Sequence, residues 1–133
     1  MGRCIYTGIY DPSNPNPNLI NAQGFRTDVI AALKDLRVPV IRYPGGNFTA
    51  QYRWQDGIGP RENRPKRPDL AWGLVESNEF GTDEFMAWCE QVGAEPFLCL
   101  NMGTGSLEDG KLFNQSINQS PCWLMVRGKE CEC

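Results

Sequence analysis

The chain has 133 residues, with 13 Lys plus Arg against 16 Asp plus Glu, a formal charge of −3, and no histidine. That length permits one ordinary domain with a core, and 41% hydrophobic with 22% charged residues is a globular composition. Without imidazole, Ser-His-Asp and Cys-His nucleophilic sites and most catalytic zinc sites are excluded, and the mildly acidic balance speaks against a nucleic-acid binder.

Met1-Gly2-Arg3-Cys4 begins no apolar signal run, and no stretch approaches the ~20 apolar residues of a membrane span. The sequence therefore reads as cytoplasmic with no membrane partner. Pro12, Pro15 and Pro17 interleave with Asn14, Asn16, Asn18 and Asn21, which predicts a loop, since Pro lacks an amide donor and Asn favours turns. Phe25, Val29, Ala32, Leu33 and Leu36 then recur at the spacing of one helical face. Val38-Pro39-Val40-Ile41-Arg42-Tyr43 predicts a buried strand stopped by Pro44-Gly45-Gly46. From Pro44 to Gly81 runs a long connection carrying Arg53, Arg61, Arg64, Lys66 and Arg67 against Asp56 and Glu62, and a solvated loop is expected there. Thr82 is placed to cap a second helix, with Asp83 and Glu84 in its first turn. Its apolar face is Phe85, Trp88, Cys89 and Val92, and Gly93 is its stop. Pro96-Phe97-Leu98-Cys99-Leu100 predicts a second strand ending at Asn101-Met102-Gly103-Thr104-Gly105.

Helix, strand and Gly-rich turn thus occur twice in order, and both strands are almost continuously apolar. That pattern predicts α/β architecture with a parallel sheet covered on both faces. In such folds the polar residues just past the strand ends line the ligand site, where Arg42, Asn47 and Asn101 fall. Arg42 must either meet a carboxylate or reach the mouth of the sheet. Trp54 and Trp72 suit either stacking on sugar rings or anchoring a loop. Asp56, Asp69, Glu76 and Glu79 are the candidate acid/base carboxylates, although no spacing sets two of them at the separation glycoside hydrolysis requires. Neither Gly-rich turn completes a nucleotide-binding motif. Cys4, Cys89 and Cys99 read as small buried hydrophobes. Cys122, Cys131 and Cys133 supply three thiols where a closed tetrahedral site takes four, so no metal or other cofactor is expected. The glycosylation sequons at Asn47, Asn114 and Asn118 are expected to stay unmodified.

Longer motifs say more. Arg37-Val38-Pro39-Val40-Ile41-Arg42-Tyr43-Pro44-Gly45-Gly46-Asn47-Phe48, then Tyr52-Arg53-Trp54-Gln55-Asp56-Gly57-Ile58-Gly59-Pro60, closely resembles the α-L-arabinofuranosidases of glycoside hydrolase family 51. So do Leu70-Ala71-Trp72, Glu76-Ser77-Asn78-Glu79-Phe80-Gly81 and the strand leading into Asn101-Met102-Gly103-Thr104-Gly105. The likeness covers about residues 2–109. It implies a retaining glycoside hydrolase on a (β/α)8 TIM barrel, working without metal or cofactor. Such an enzyme removes terminal α-L-arabinofuranosyl residues from arabinan or arabinoxylan. Its partner would be an arabinofuranoside-containing oligosaccharide or polysaccharide, and an oligomeric parent is compatible with it.

By the same resemblance Arg42 and Asn47 belong to the sugar pocket, and Trp72 lies on a loop over it. The family's acid/base Glu follows a Gly-Asn-Glu motif after the fourth strand, and its nucleophilic Glu comes after the seventh. This sequence contains no Gly-Asn-Glu. A full barrel takes ~250 residues. The expectation is accordingly a partial barrel around the second and third strands over residues 1–109, then a non-family, disordered tail over 110–133. No catalytic residue falls within the chain, and no activity is expected of it alone. The alternative is a non-catalytic carbohydrate-binding or regulatory remnant.

Overall fold

The computed structural model describes residues 2–119. It is a small α/β structure built around one parallel strand pair. In chain order it has α1 (Gly2–Ile5), α2 (Thr27–Asp35), β1 (Val40–Tyr43), β2 (Arg67–Asp69), β3 (Leu74–Glu76), α3 (Thr82–Val92), β4 (Glu95–Leu98) and α4 (Leu107–Gln119), with short 3-10 turns between them. Strands β1 and β4 pair in parallel, Val40 with Glu95 through Tyr43 with Leu98. Strands β2 and β3 form a separate antiparallel hairpin.

The Asn/Pro segment is a loop, as its composition predicts. Its asparagines act as local acceptors: Asn14 Oδ1 takes the Asn16 N–H (2.9 Å), Asn16 Oδ1 the Asn18 N–H (3.1 Å) and Asn21 Oδ1 the Phe25 N–H (3.0 Å). The helix predicted from Phe25 starts two residues later. Phe25 instead makes an isolated antiparallel bridge with Tyr10 and is wholly buried. Ile30 is the buried residue of α2, Val29 and Leu33 flank it, and Leu36 is 73% exposed. The helix thus rests on the core along a narrower stripe than its apolar spacing suggested.

Alternation decides which side of the sheet is covered. Ile41, Tyr43, Pro96 and Leu98 face the helices, where Tyr43 is 2% exposed and stacks on Phe85 with ring centroids 4.6 Å apart. Around them Tyr10, Phe25, Phe80, Met86, Trp88, Cys89 and Val92 form the core. The other face carries Val40, Arg42, Glu95 and Phe97, all exposed, with Val40 at 53% and Phe97 at 55%. Only one of the two expected covering layers is present among the described residues.

Helix α3 ends as predicted, with Gly93 in the left-handed region at φ 80° and its N–H donating to Cys89 O (2.8 Å). Its start differs. Gly81 is the N-cap and Thr82 the first helical residue, and Glu84 Oε2 reaches back to accept the Gly81 N–H at 2.7 Å. Glycine is required at this cap for space: a Cβ on Gly81 would lie 1.7 Å from Gly57 O, where two arms of the long connection cross.

The tail expected to be irregular from residue 110 is helical through Gln119. Ser106 and Asp109 form a reciprocal cap, Asp109 N–H to Ser106 Oγ (3.1 Å) and Ser106 N–H to Asp109 Oδ2 (2.8 Å). Phe113, 4% exposed, then docks on Trp54 with centroids 5.3 Å apart. Cap and anchor together offset the helix-weakening Gly110. Cys122, Cys131, Cys133 and the sequon that ends at Ser120 lie outside the described residues. Among the described residues no helix is long and apolar enough to cross a membrane.

Candidate functional site

Of the two fates open to Arg42, the structure realises the second. It sits on the uncovered face near the C-terminal end of β1, beside its cross-strand partner Phe97, with no ion pair or hydrogen bond among the described residues. The Tyr43–Pro44 peptide is cis, and the turn it enters brings Gly46 close under the guanidinium: a Cβ there would be 3.6 Å from Arg42 Nη2. Asn47 opens the following 3-10 turn and is exposed. Trp72 is 52% exposed at the tip of the β2–β3 hairpin. Asp69 shapes that tip, its Oδ1 accepting the N–H groups of Ala71 (3.0 Å) and Trp72 (3.3 Å). All three predicted sugar-pocket residues therefore present side chains without a hydrogen bond among the described residues. None of them lines either of the two larger cavities.

The long connection is far from a solvated loop. Arg64 is 9% exposed and its guanidinium works as a clasp. It donates to Glu84 Oε2 (2.8 Å) and Oε1 (3.0 Å), to Gly59 O (2.8 Å) and to Asn78 O (2.9 Å). Arg61 adds a bond to Glu84 Oε1 at 3.1 Å. Burial works to raise the Glu84 pKa, but the bonds from Arg64, the Gly81 N–H and Arg61 outweigh it and hold the carboxyl below its usual value. Arg67 pairs with Asp56 at 2.9 Å. So three of the five cations pin the connection to α3 and to itself, where a solvated loop was expected.

Three of the four candidate acid/base carboxylates are engaged in the same way, whereas the half-buried Glu79 carboxylate has no hydrogen bond or ion pair among the described residues. Asp56 holds Arg67, Asp69 caps the hairpin tip, and Glu76 Oε1 accepts from the Tyr6 hydroxyl and the Asn78 N–H. Burial, then the bond to Glu76, pushes Tyr6 well above its ordinary value, and burial lifts Tyr52 to about 12, so both phenols stay protonated at neutral pH. Asn101, expected to line the site, ties the turn after β4 to the segment after β1: its Oδ1 accepts from Gly103 and Thr104, and its Nδ2 donates to Tyr52 O at 3.1 Å. Trp54 is an anchor under α4. Cys89 is buried and lifted to about 12 by that burial, whereas Cys4 is exposed and Cys99 half-buried, against the expectation of three buried thiols. No group of three or more Cys, Asp or Glu side chains able to hold a metal occurs among the described residues.

Sequence reasoning missed the β2–β3 hairpin, the Arg64–Glu84 clasp and the cavity between α4 and the strand ends. That cavity, of about 410 Å3, is lined by Tyr52, Trp54, Asn101, Asp109 and Phe113 among others. The one signal available was Ser106-Leu107-Glu108-Asp109, a capping-box pattern that announces α4.

A parallel α/β sheet with polar and aromatic groups gathered past its strand ends is the layout of an α/β enzyme scaffold. Comparison with known proteins narrows this: the α-L-arabinofuranosidase 1 domain family matches residues 32–123, and the chain belongs to that family of glycoside hydrolases. It is 67% identical over 109 residues to α-L-arabinofuranosidase C of Emericella nidulans, an alignment taking 82% of this chain and 21% of that protein. It is 49% identical over 121 residues to the intracellular exo-α-(1→5)-L-arabinofuranosidase of Bifidobacterium longum, covering 91% of this chain and 21% of that one. Among solved structures it is similar to the Thermotoga maritima α-L-arabinofuranosidase in its arabinose complex, with TM-score 0.82, 45% identity, and 97% of this chain on 27% of that one. The family 51 α-L-arabinofuranosidase AbfB of Bifidobacterium longum gives TM-score 0.84 at 47% identity, with 96% of this chain on 25% of that one. The chain thus spans 21% of the length of these curated relatives.

Proposed function

We propose that this chain is the sugar-gripping portion of a retaining α-L-arabinofuranosidase acting on the terminal α-L-arabinofuranosyl residues of arabinan or arabinoxylan, a slice of a (β/α)8 barrel around its second and third strands. The observation that carries this reading is the sidedness of the strand pair. The helix-facing side is a finished core, while the opposite side holds Val40, Phe97 and a hydrogen-bond-free Arg42 in the open. In a closed barrel that side is the interior, and a cation near the C-terminal end of its strand stands at the mouth where substrate binds. Asn47 follows within the same turn, and Trp72 supplies an aromatic face at the hairpin tip.

Retaining hydrolysis needs one carboxylic acid to protonate the departing oxygen and a second carboxylate to form the glycosyl-enzyme. Asp56, Asp69 and Glu76 are engaged in structural bonds, which leaves Glu79 alone among the four candidates where two acids are required, so Arg42, Asn47 and Trp72 orient a sugar without cleaving it. Two measurements test the division of labour. The 133-residue polypeptide, given an aryl α-L-arabinofuranoside, is expected to release no more phenol than a blank, and turnover above the blank overturns the assignment of both acids to residues outside it. Titration with L-arabinose is expected to shift the Trp72 indole resonance, and an unmoved spectrum overturns the grip.

A further inference from the structure

The open face of the β1–β4 pair carries Val40 and Arg42 from β1 and Glu95 and Phe97 from β4. The register sets them at the corners of a compact rectangle. Val40 is paired with Glu95 and Arg42 with Phe97, with about 4.8 Å between the strands and about 6.6 Å between alternate residues along each. One diagonal therefore joins Arg42 to Glu95, and the other joins Val40 to Phe97. Val40 is 53% and Phe97 55% exposed, and the exposed Arg42 and Glu95 side chains make no hydrogen bond or ion pair among the described residues. Apolar groups so exposed on a parallel sheet call for a cover, and the two charges say which kind. A basic partner would leave Arg42 unmatched and an acidic one Glu95, while a wholly apolar one would strip water from both and pair neither.

The pattern is its own complement. A two-fold axis laid between two such faces along the Val40–Phe97 diagonal brings Arg42 of each copy over Glu95 of the other, while Val40 meets Val40 and Phe97 meets Phe97. The strands of the two copies then cross steeply, nearer the orthogonal than the aligned class of sheet packing. We propose that this polypeptide associates with a second copy of itself through that face, by two reciprocal Arg42–Glu95 ion pairs about a centre of Val40 and Phe97. Four residues a side are far fewer than the ~20–30 of a standard interface, so the dimer is weak and the face stands open at micromolar concentration. The inference goes beyond the sugar-binding reading, with which it shares only Arg42, and it stands or falls without Asn47 or Trp72.

The test is sedimentation velocity of the 133-residue protein at low salt, from about 10 μM to about 1 mM. Across that range the parent is expected to move from monomer towards dimer. Arg42→Glu and Glu95→Arg each set like charges opposite one another, and each is expected to weaken association at least about tenfold. Both replace exposed side chains with no hydrogen bond to lose, so each variant is expected to keep the circular dichroism spectrum of the parent. An equimolar mixture of the two variants restores both ion pairs between unlike copies and is expected to associate within about threefold of the parent. A parent that stays monomeric at about 1 mM overturns the proposal, whether residues 120–133 or no other segment take the face. Variants that associate as the parent does overturn it too, since the contact then lies elsewhere. A mixture no tighter than its components breaks the pairing, and a variant that loses its folded spectrum places that side chain in the fold, not on a free face; either result sinks the proposal.

Discussion

The two faces of the β1–β4 sheet differ in residues and in fate: Ile41, Tyr43, Pro96 and Leu98 make one, and Val40 and Phe97 share the other with Arg42 and Glu95. On one, Tyr43 is stacked on Phe85 and sealed beneath α2 and α3; on the other, Val40 and Phe97 are more than half exposed. Val40 and Phe97 keep the open face partly apolar beside Arg42 and Glu95, and parallel strands with apolar residues on both faces are usually covered on both. Helices of the chain cover one face, and among the described residues nothing covers the other. The same division runs through the charges: Arg64 is buried in a clasp, while Arg42 stands open on the sheet.

Substitutions on the two faces should sharpen this contrast. Phe85→Ala, at 0% exposure, is expected to cost about 3–5 kcal/mol, enough to unfold a domain of marginal stability, as read by urea denaturation. Arg64→Ala should cost a similar amount, about 3–5 kcal/mol, because it leaves Glu84 buried beside an exposed and less intimate Arg61. A loss under about 1 kcal/mol in either variant breaks the claim that the helix-facing side and its clasp carry the fold.

Acid should act through the same clasp. The folded Glu84 pKa lies below its unfolded value, so its stabilisation is complete above the ordinary Glu value of about 4.3. It fades as pH falls through the depressed folded value. Asp28, held at about 2 chiefly by its bond to Arg26, and Asp109 contribute with the same sign, whereas burial raises Asp83 and gives it the opposite one. The difference in urea midpoint between pH 6 and pH 3 is therefore expected to be smaller in Glu84→Gln than in the parent, and equal differences would remove Glu84 from the account. The smallest effect belongs to the open face: Phe97→Ser is expected to change stability by under about 0.5 kcal/mol while lowering the binding of a hydrophobic dye. A large destabilisation there would mean that the face is covered after all.

The parallel α/β order was legible because it rests on periodicity, on Pro44-Gly45-Gly46 and on Gly93, all local signals. The hairpin was not: each strand is three residues long, β2 contains Pro68, and so short a run has no alternation to read. The clasp escaped for a different reason. Arg64 and Glu84 are twenty residues apart, and nothing in the chain tells a solvated Arg from one that folding will bury. Helix α4 announced itself only through Ser106 and Asp109, a signal masked by the adjacent Gly110. Of the site, the position of Arg42 on an apolar strand left two fates open, a carboxylate partner or the mouth of the sheet, and the structure leaves it exposed without an ion pair among the described residues. The family motifs, and no spacing rule, singled out Asn47 and Trp72.

The crossing of Gly57 and Gly81 sets a rule for anyone who randomises this loop. A methyl group on Gly57 would fall 2.1 Å from the Tyr52 hydroxyl oxygen, and one on Gly81 would strike the Gly57 carbonyl. Since the Gly81 backbone is ordinary extended chain at φ −116°, D-residues or turn-forming substitutes offer no escape. A library over residues 52–81 that fixes only these two codons should retain far more folded members than one of equal size that leaves them free.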